Sequence, residues 1–143
     1  MSENPEHGAV AVLQRLYKAL NDRDLEAYVA CYAPEYRSEQ PIHPEWAYTG
    51  RDQLRWNWTG IFENVRDFQA ELLRYTIDGD CVWSEWRWSG TQPDDLPMTV
   101  VGVIIMGIEN DRIAWGRIYM ESEAGARLSY NEGRERRPPK LDA

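Results

Sequence analysis

The chain is poor in the residues that staple, ligate or anchor a protein. Its 143 residues hold two cysteines and two histidines, and none falls in an HxxH, HxxE or CxxC spacing, so neither a metal centre nor a redox pair is expected. Cys31 and Cys81 read as small buried hydrophobes, and His7 as part of a solvated end. No glycine-rich loop follows a strand pattern, which argues against a nucleotide cofactor, and no other cofactor is indicated. Long apolar runs are missing too: nothing approaches the roughly 20 residues of a membrane span. The opening MSENPEHGAV has neither a basic start nor an apolar core, so the expected location is the cytoplasm; the Asn57-Trp58-Thr59 sequon is then expected to go unused. Positive charge is also scarce. Sixteen Lys and Arg face 24 Asp and Glu, a net charge of −8, which disfavours a nucleic-acid surface. The one basic cluster, Arg134, Arg136, Arg137 and Lys140, is offset by Glu132, Glu135 and Asp142. We read residues 1–8 as a disordered N-terminus, 9–122 as one domain and 123–143 as a charged, solvated tail.

What the chain has in abundance is indole and phenol, with seven Trp and eight Tyr. Three of the tryptophans fall within VWSEWRWSG, residues 82–90. Strand alternation puts Val82, Ser84, Trp86 and Trp88 on one face and Trp83, Glu85, Arg87 and Ser89 on the other, so both faces need cover.

Periodicity lays out the rest. Val10, Leu13, Tyr17 and Leu20 predict a first helix ending near Asn21, and Leu25, Tyr28, Val29 and Tyr32 a second, capped by Asp22 or Asp24 and ended by Pro34. A short strand near 36–40 and a proline-rich loop come next. Thr49 and Asp52 resemble a capping box for a third helix with Leu54, Trp58, Ile61, Phe62 and Val65 inside. Strands then run over 68–77, the tryptophan segment, 98–108 and 112–121, with a hairpin turn at Asp78-Gly79-Asp80. The last strand places Ala114, Gly116, Ile118 and Met120 on one face and Trp115, Arg117, Tyr119 and Glu121 on the other. Three helices followed by a meander predict an α+β domain: a cone-shaped roll of three N-terminal helices packed on a curved, mostly antiparallel sheet. MTVVGVIIMGI, apolar on both faces, predicts that the outer sheet face is covered by a second copy of the chain; the competing cover is residues 122–143 folded back.

The run VLQRLYKALNDRDLEAYVACYAPEY, the TGRDQL opening of the third helix and the closing GVIIMGIENDRIAWGRIYMES resemble the SnoaL-like branch of the nuclear transport factor 2-like superfamily, over Val10 to Ser122. The resemblance implies a pocket between helices and sheet and a range of activities: polyketide cyclases, steroid isomerases, epoxide hydrolases, dehydratases and proteins that only bind. It also implies positions for catalytic groups. The isomerase base falls at Gln40, the oxyanion acid at Ile104, and a first-helix tyrosine beside Tyr17. The Asp-Arg-Asp set of limonene-epoxide-hydrolase-like members falls at Trp86, Trp88 and Ile118, and the cyclase carboxylate also at Ile118. The family's known carboxylates are thus replaced by Gln40, Trp88, Ile104 and Ile118, and whether the chain is an enzyme stays open.

The remaining candidates for proton transfer are Glu39 and His43, with Glu45 near them. Tyr17, Gln40, Tyr48, Trp58, Trp86, Trp88, Ile104, Ile118 and Met120 are the expected lining of an apolar pocket for a small hydrophobic molecule. Two readings follow, an acid/base enzyme of the cyclase, isomerase or hydrolase type and a non-catalytic carrier; a titratable group inside the cavity distinguishes them.

Overall fold

The computed structural model describes residues 8–123; the expectations for the two ends, apart from Gly8 and Glu123, lie outside the described residues. Gly8 already belongs to the first helix, and Glu123 still donates its backbone N–H to Thr99. Helix α1 (Gly8–Asp22) is followed by α2 (Leu25–Ala30), β1 (Tyr32–Glu39), a 3₁₀ turn (Pro44–Trp46), β2 (Tyr48–Thr49), α3 (Arg51–Asn64), β3 (Gln69–Asp78), β4 (Cys81–Thr91), β5 (Pro97–Glu109) and β6 (Arg112–Ser122). The strands form one sheet in the order β2-β1-β6-β5-β4-β3, antiparallel throughout except for β1 beside β6. Three helices on one face of a curved sheet make the expected α+β cone.

Local chemistry sets most of these elements. Asp24 caps α2, its carboxylate accepting from the Ala27 amide at 3.1 Å. The buried stripe of α1 is Val12, Leu13, Leu16, Ala19 and Leu20, while Tyr17, expected inside, is 38% exposed. Helix α2 stops before Pro34: Tyr32 is the first residue of β1, not the last turn of a helix. Proline is tolerated there because the β1–β6 register shifts between Tyr32 and Arg37, a bulge that asks no ladder hydrogen bond of it. The cap of α3 is Gly50 at φ 98°, without a side-chain cap, so Thr49 and Asp52 form no capping box; Thr49 is paired in β2.

Inward faces of the sheet meet the helices in a single core. Ala70 and Trp88, Leu72 and Trp86, and Ser84 and Ile104 are cross-strand partners on this face. Two glycines make room. Gly116 on β6 lets the Tyr36 ring lie against the strand, since a Cβ there would meet the phenol oxygen at 2.7 Å. Gly102 on β5, between Trp86 and Met120, has φ 152°, and a Cβ would stand 2.0 Å from the Tyr119 carbonyl oxygen. Backbone cannot retreat as a side chain can, so Gly102→Ala is expected to cost about 2–3 kcal/mol; a urea midpoint unchanged from wild type would contradict this packing.

On the outer face, Arg87 and Glu85 do not pair with one another. Arg74 takes Glu85 at 2.9 Å and Arg87 reaches Glu123 at 3.5 Å. Cys31 is buried, and desolvation pushes its thiol up to about 11, which keeps it in the unreactive protonated form. No helix among the described residues is long and apolar enough to cross a membrane.

Candidate functional site

The inner face of the sheet and the residues packed over it line two adjoining voids. The deeper, about 40 Å³, is walled by Leu16, Tyr28, Tyr32, Tyr36, Trp86 and Ile104. The outer, about 120 Å³, is walled by Ser38, Gln40, Trp46, Asn57 and Met120, with Glu121 at its rim. Tyr48, Trp58, Trp88 and Ile118 belong to both and form the partition between them. The outer void is of the size that holds a single apolar ring, since cavities of about 150 Å³ take benzene.

Burial sorts the two inward indoles of β4. Trp86 is fully buried; its Nε1 donates to Ser84 Oγ at 2.8 Å, and the Ser84 hydroxyl donates to the Ile104 carbonyl at 2.9 Å. Trp88, two residues along the same face, packs edge-on to Trp58 with centroids 5.4 Å apart, and its Nε1 is buried without a partner. Ser38 Oγ is likewise buried without a hydrogen bond of ordinary geometry, the Tyr36 phenol lying beside it. Burial holds the phenols of Tyr28, Tyr32 and Tyr36 well above the usual tyrosine range, so the deep void is walled by neutral groups.

The structure brings Gln40, Tyr48, Trp58, Trp88, Ile118 and Met120 together around the outer void, with Trp86 and Ile104 deeper. Tyr17 is absent from both walls and instead packs edge-on to Trp86 from outside at 5.9 Å. Glu39 also fails to reach them. On β1 it is Ser38 that points inward, and the Glu39 carboxylate pairs with Arg117 on the exposed face. Glu45 sits exposed on the 3₁₀ turn. His43 stands behind the wall: its ring stacks on Trp46 at 4.1 Å and 18°, and its Nε2 lies 2.7 Å from Glu121 Oε2.

Glu121 is the titratable residue that the sequence pattern assigned to the wrong side. Its β6 position pairs with Val101 on the outer register, yet at the strand's end the long side chain turns over the rim to meet His43. Trp46 and Asn57 were also missed. Asn57 sits on the inner face of α3 beside Trp58, its carbonyl oxygen accepting from Gln53 at 2.9 Å. It is 5% exposed, so the sequon it opens is closed to modification in the folded chain.

A helix-covered, curved and mostly antiparallel sheet defines an α+β protein of the cone class. The sequence profile described as the SnoaL-like domain matches residues 13–115, and the chain belongs to the SnoaL-like family. Solved structures agree in fold. One is an epoxide hydrolase of the limonene-epoxide-hydrolase-like kind from M. tuberculosis, 16% identical, TM-score 0.67, covering 78% of this chain and 80% of that one. Another is a protein with a ketosteroid isomerase-like fold from Catenulispora acidiphila, in complex with trimethylamine, 15% identical, TM-score 0.66, covering 76% and 83%. A third is an NTF2-like protein of unknown function from Burkholderia pseudomallei, 16% identical, TM-score 0.67, covering 79% and 88%. Among curated protein sequences none matches this chain.

Proposed function

We propose that this SnoaL-like protein is a small-molecule enzyme of the cyclase, isomerase or hydrolase kind, in which Glu121, oriented by His43, moves a proton on an apolar substrate held against Trp58 and Trp88. The observation that carries this is the 2.7 Å contact between His43 and the one carboxylate on the rim of the outer void. Stacking on Trp46 fixes the imidazole plane, and the imidazole fixes one carboxylate oxygen, which leaves the other to serve as base or acid. A probe of one ring, cyclohexanone, is expected to shift the indole signals of Trp58 and Trp88 in an NMR titration and to leave the exposed Trp56 and Trp83 in place. Shifts confined to Trp56 and Trp83 would remove the void from the account.

A non-catalytic carrier is the second reading, favoured by the uncharged Gln40, Trp88, Ile104 and Ile118 at the positions where relatives of this fold keep charged groups. Under it the probe binds equally well and Glu121 has no chemical task.

We also infer a homodimer through the outer sheet face. Trp83, 47% exposed, is the cross-strand partner of Ile105, with Val103 and Tyr119 beside them. Such a surface suits an aromatic anchor in an isologous contact. Sedimentation should give a dimer at micromolar concentration and a monomer for Trp83→Arg; a monomeric wild type would contradict it.

A further inference from the structure

The walls of the outer void differ in what holds them. Strands β1, β4, β5 and β6 are tied by ladder hydrogen bonds, and α3 is anchored by Leu54, Trp58, Ile61 and Phe62 in the core. The remaining wall is residues 40–47, which join β1 to β2 and bring Gln40 and Trp46 to the void. None of these residues is buried. Three backbone hydrogen bonds close within the segment, the amide of His43 donating to Gln40 at 2.7 Å, that of Trp46 to His43 at 2.9 Å and that of Ala47 to Pro44 at 3.2 Å. Pro41 and Pro44 fix two of its φ angles. It is thus a self-supporting loop, its ends held together by the Arg37–Thr49 and Ser38–Tyr48 pairs of β1 and β2.

Across the middle of the loop, the tie to the sheet is the 2.7 Å contact of His43 Nε2 with Glu121 Oε2. Both side chains are partly open to solvent, 31% and 48%, and a contact of that kind is weak because water competes for each partner. Stacking carries the contact to the void: the Trp46 ring that lies against His43 at 4.1 Å belongs to the void's wall. Moving α3 or a strand would break core packing or a ladder, whereas moving the loop breaks this contact and leaves the turns within it intact.

Taking the outer void to be the ligand site, as proposed above, we infer that residues 40–47 are its lid, hinged where the loop joins β1 and β2 and latched by His43 on Glu121, and that ligands enter and leave by its opening. Closure and chemistry then share one contact. With the lid shut, Trp46 walls the void and His43 orients the Glu121 carboxylate. With it open, the carboxylate loses its orienter as the void meets water, so proton transfer is confined to the closed state.

The test follows cyclohexanone exchanging into the full-length protein by NMR line shapes of the Trp58 and Trp88 indoles, which give association and dissociation rates as well as Kd. A latch acts on the lid whether or not ligand is bound, so cutting it eases opening in both states alike. Glu121→Ala and His43→Ala are each expected to raise both rates about two- to fivefold and to hold Kd within about twofold. The double variant should be no faster than either single one, since both remove the same contact. Glu45→Gln, exposed on the same turn, should exchange at the wild-type rate. A rise in dissociation alone, with Kd rising in step, would make the two side chains ligand contacts and overturn the lid. So would rates unchanged in both variants, or single effects that multiply in the double variant. Failure of cyclohexanone to bind wild type would overturn the lid together with the reading on which it rests.

Discussion

Trp86→Ala is expected to lower the unfolding free energy by about 3–5 kcal/mol, the range of buried Trp and Phe truncations. Trp86 is fully buried on the inner face of β4, against Leu72 on one side and Gly102 on the other. Its N–H closes a chain of hydrogen bonds through Ser84 to Ile104, so truncation both empties volume and breaks that chain. Trp88→Ala is expected to cost clearly less, because part of the ring already faces a void and its N–H has no partner to lose. Chemical denaturation of the two variants side by side checks this. Equal losses would mean that both indoles are core and would weaken the functional assignment of Trp88.

The second large effect concerns chemistry. Glu121→Gln keeps the size of the side chain and a hydrogen bond to His43 but cannot exchange a proton near neutral pH, so turnover is expected to fall about 10²- to 10⁴-fold, the usual span for loss of a general acid or base. Affinity for a ring-sized ligand is expected to stay within about threefold, since the rim carboxylate adds little to apolar burial. His43→Asn should have a milder effect, because His43 acts through Glu121 and is a positioning residue; its signature is an altered pH profile of the remaining activity. Glu39→Gln should change nothing in turnover, because its carboxylate is held by Arg117 on the outer face. A Glu39→Gln variant as impaired as Glu121→Gln would invert the assignment.

These predictions rest on a site that the sequence disclosed unevenly. Alternation put Trp86, Trp88, Ile118 and Met120 on the inner face, and the strand limits fall within a residue or so of the observed β3 to β6, because each of these strands has neighbours in the meander and one apolar face on the core. The α2–β1 boundary was illegible for a different reason. Pro34 reads locally as a helix stop, but Tyr32 is already in a strand whose partner, β6, lies some eighty residues away, and a parallel pairing leaves no local trace. Tyr17 fits the helical period as well as Leu16 does; only the placement of α1 against β3 and β5 decides that Leu16 lies inside. Glu121 was hidden because alternation fixes where a side chain starts, not where a long one ends at the last turn of a sheet. Its partner His43 sits in a loop with no period at all.

The unequal treatment of two indoles on one strand is the physical centre of the account. A satisfied, fully buried Trp86 is what a core requires, while Trp88, two residues along the same face, lines a void and keeps its buried Nε1 without a partner. Under the proposed reading, the void would hold a ring-sized ketone while Glu121, on its rim, takes a proton from the carbon beside the carbonyl.

The most direct measurement is deuterium uptake into the carbons flanking the carbonyl of cyclohexanone in D₂O, followed by NMR with wild-type protein and with Glu121→Gln. The account predicts exchange that rises with wild-type concentration, saturates with ketone and returns to the buffer rate in Glu121→Gln. Exchange at the buffer rate with wild type, under conditions where the ketone demonstrably fills the void, would contradict it and leave a carrier.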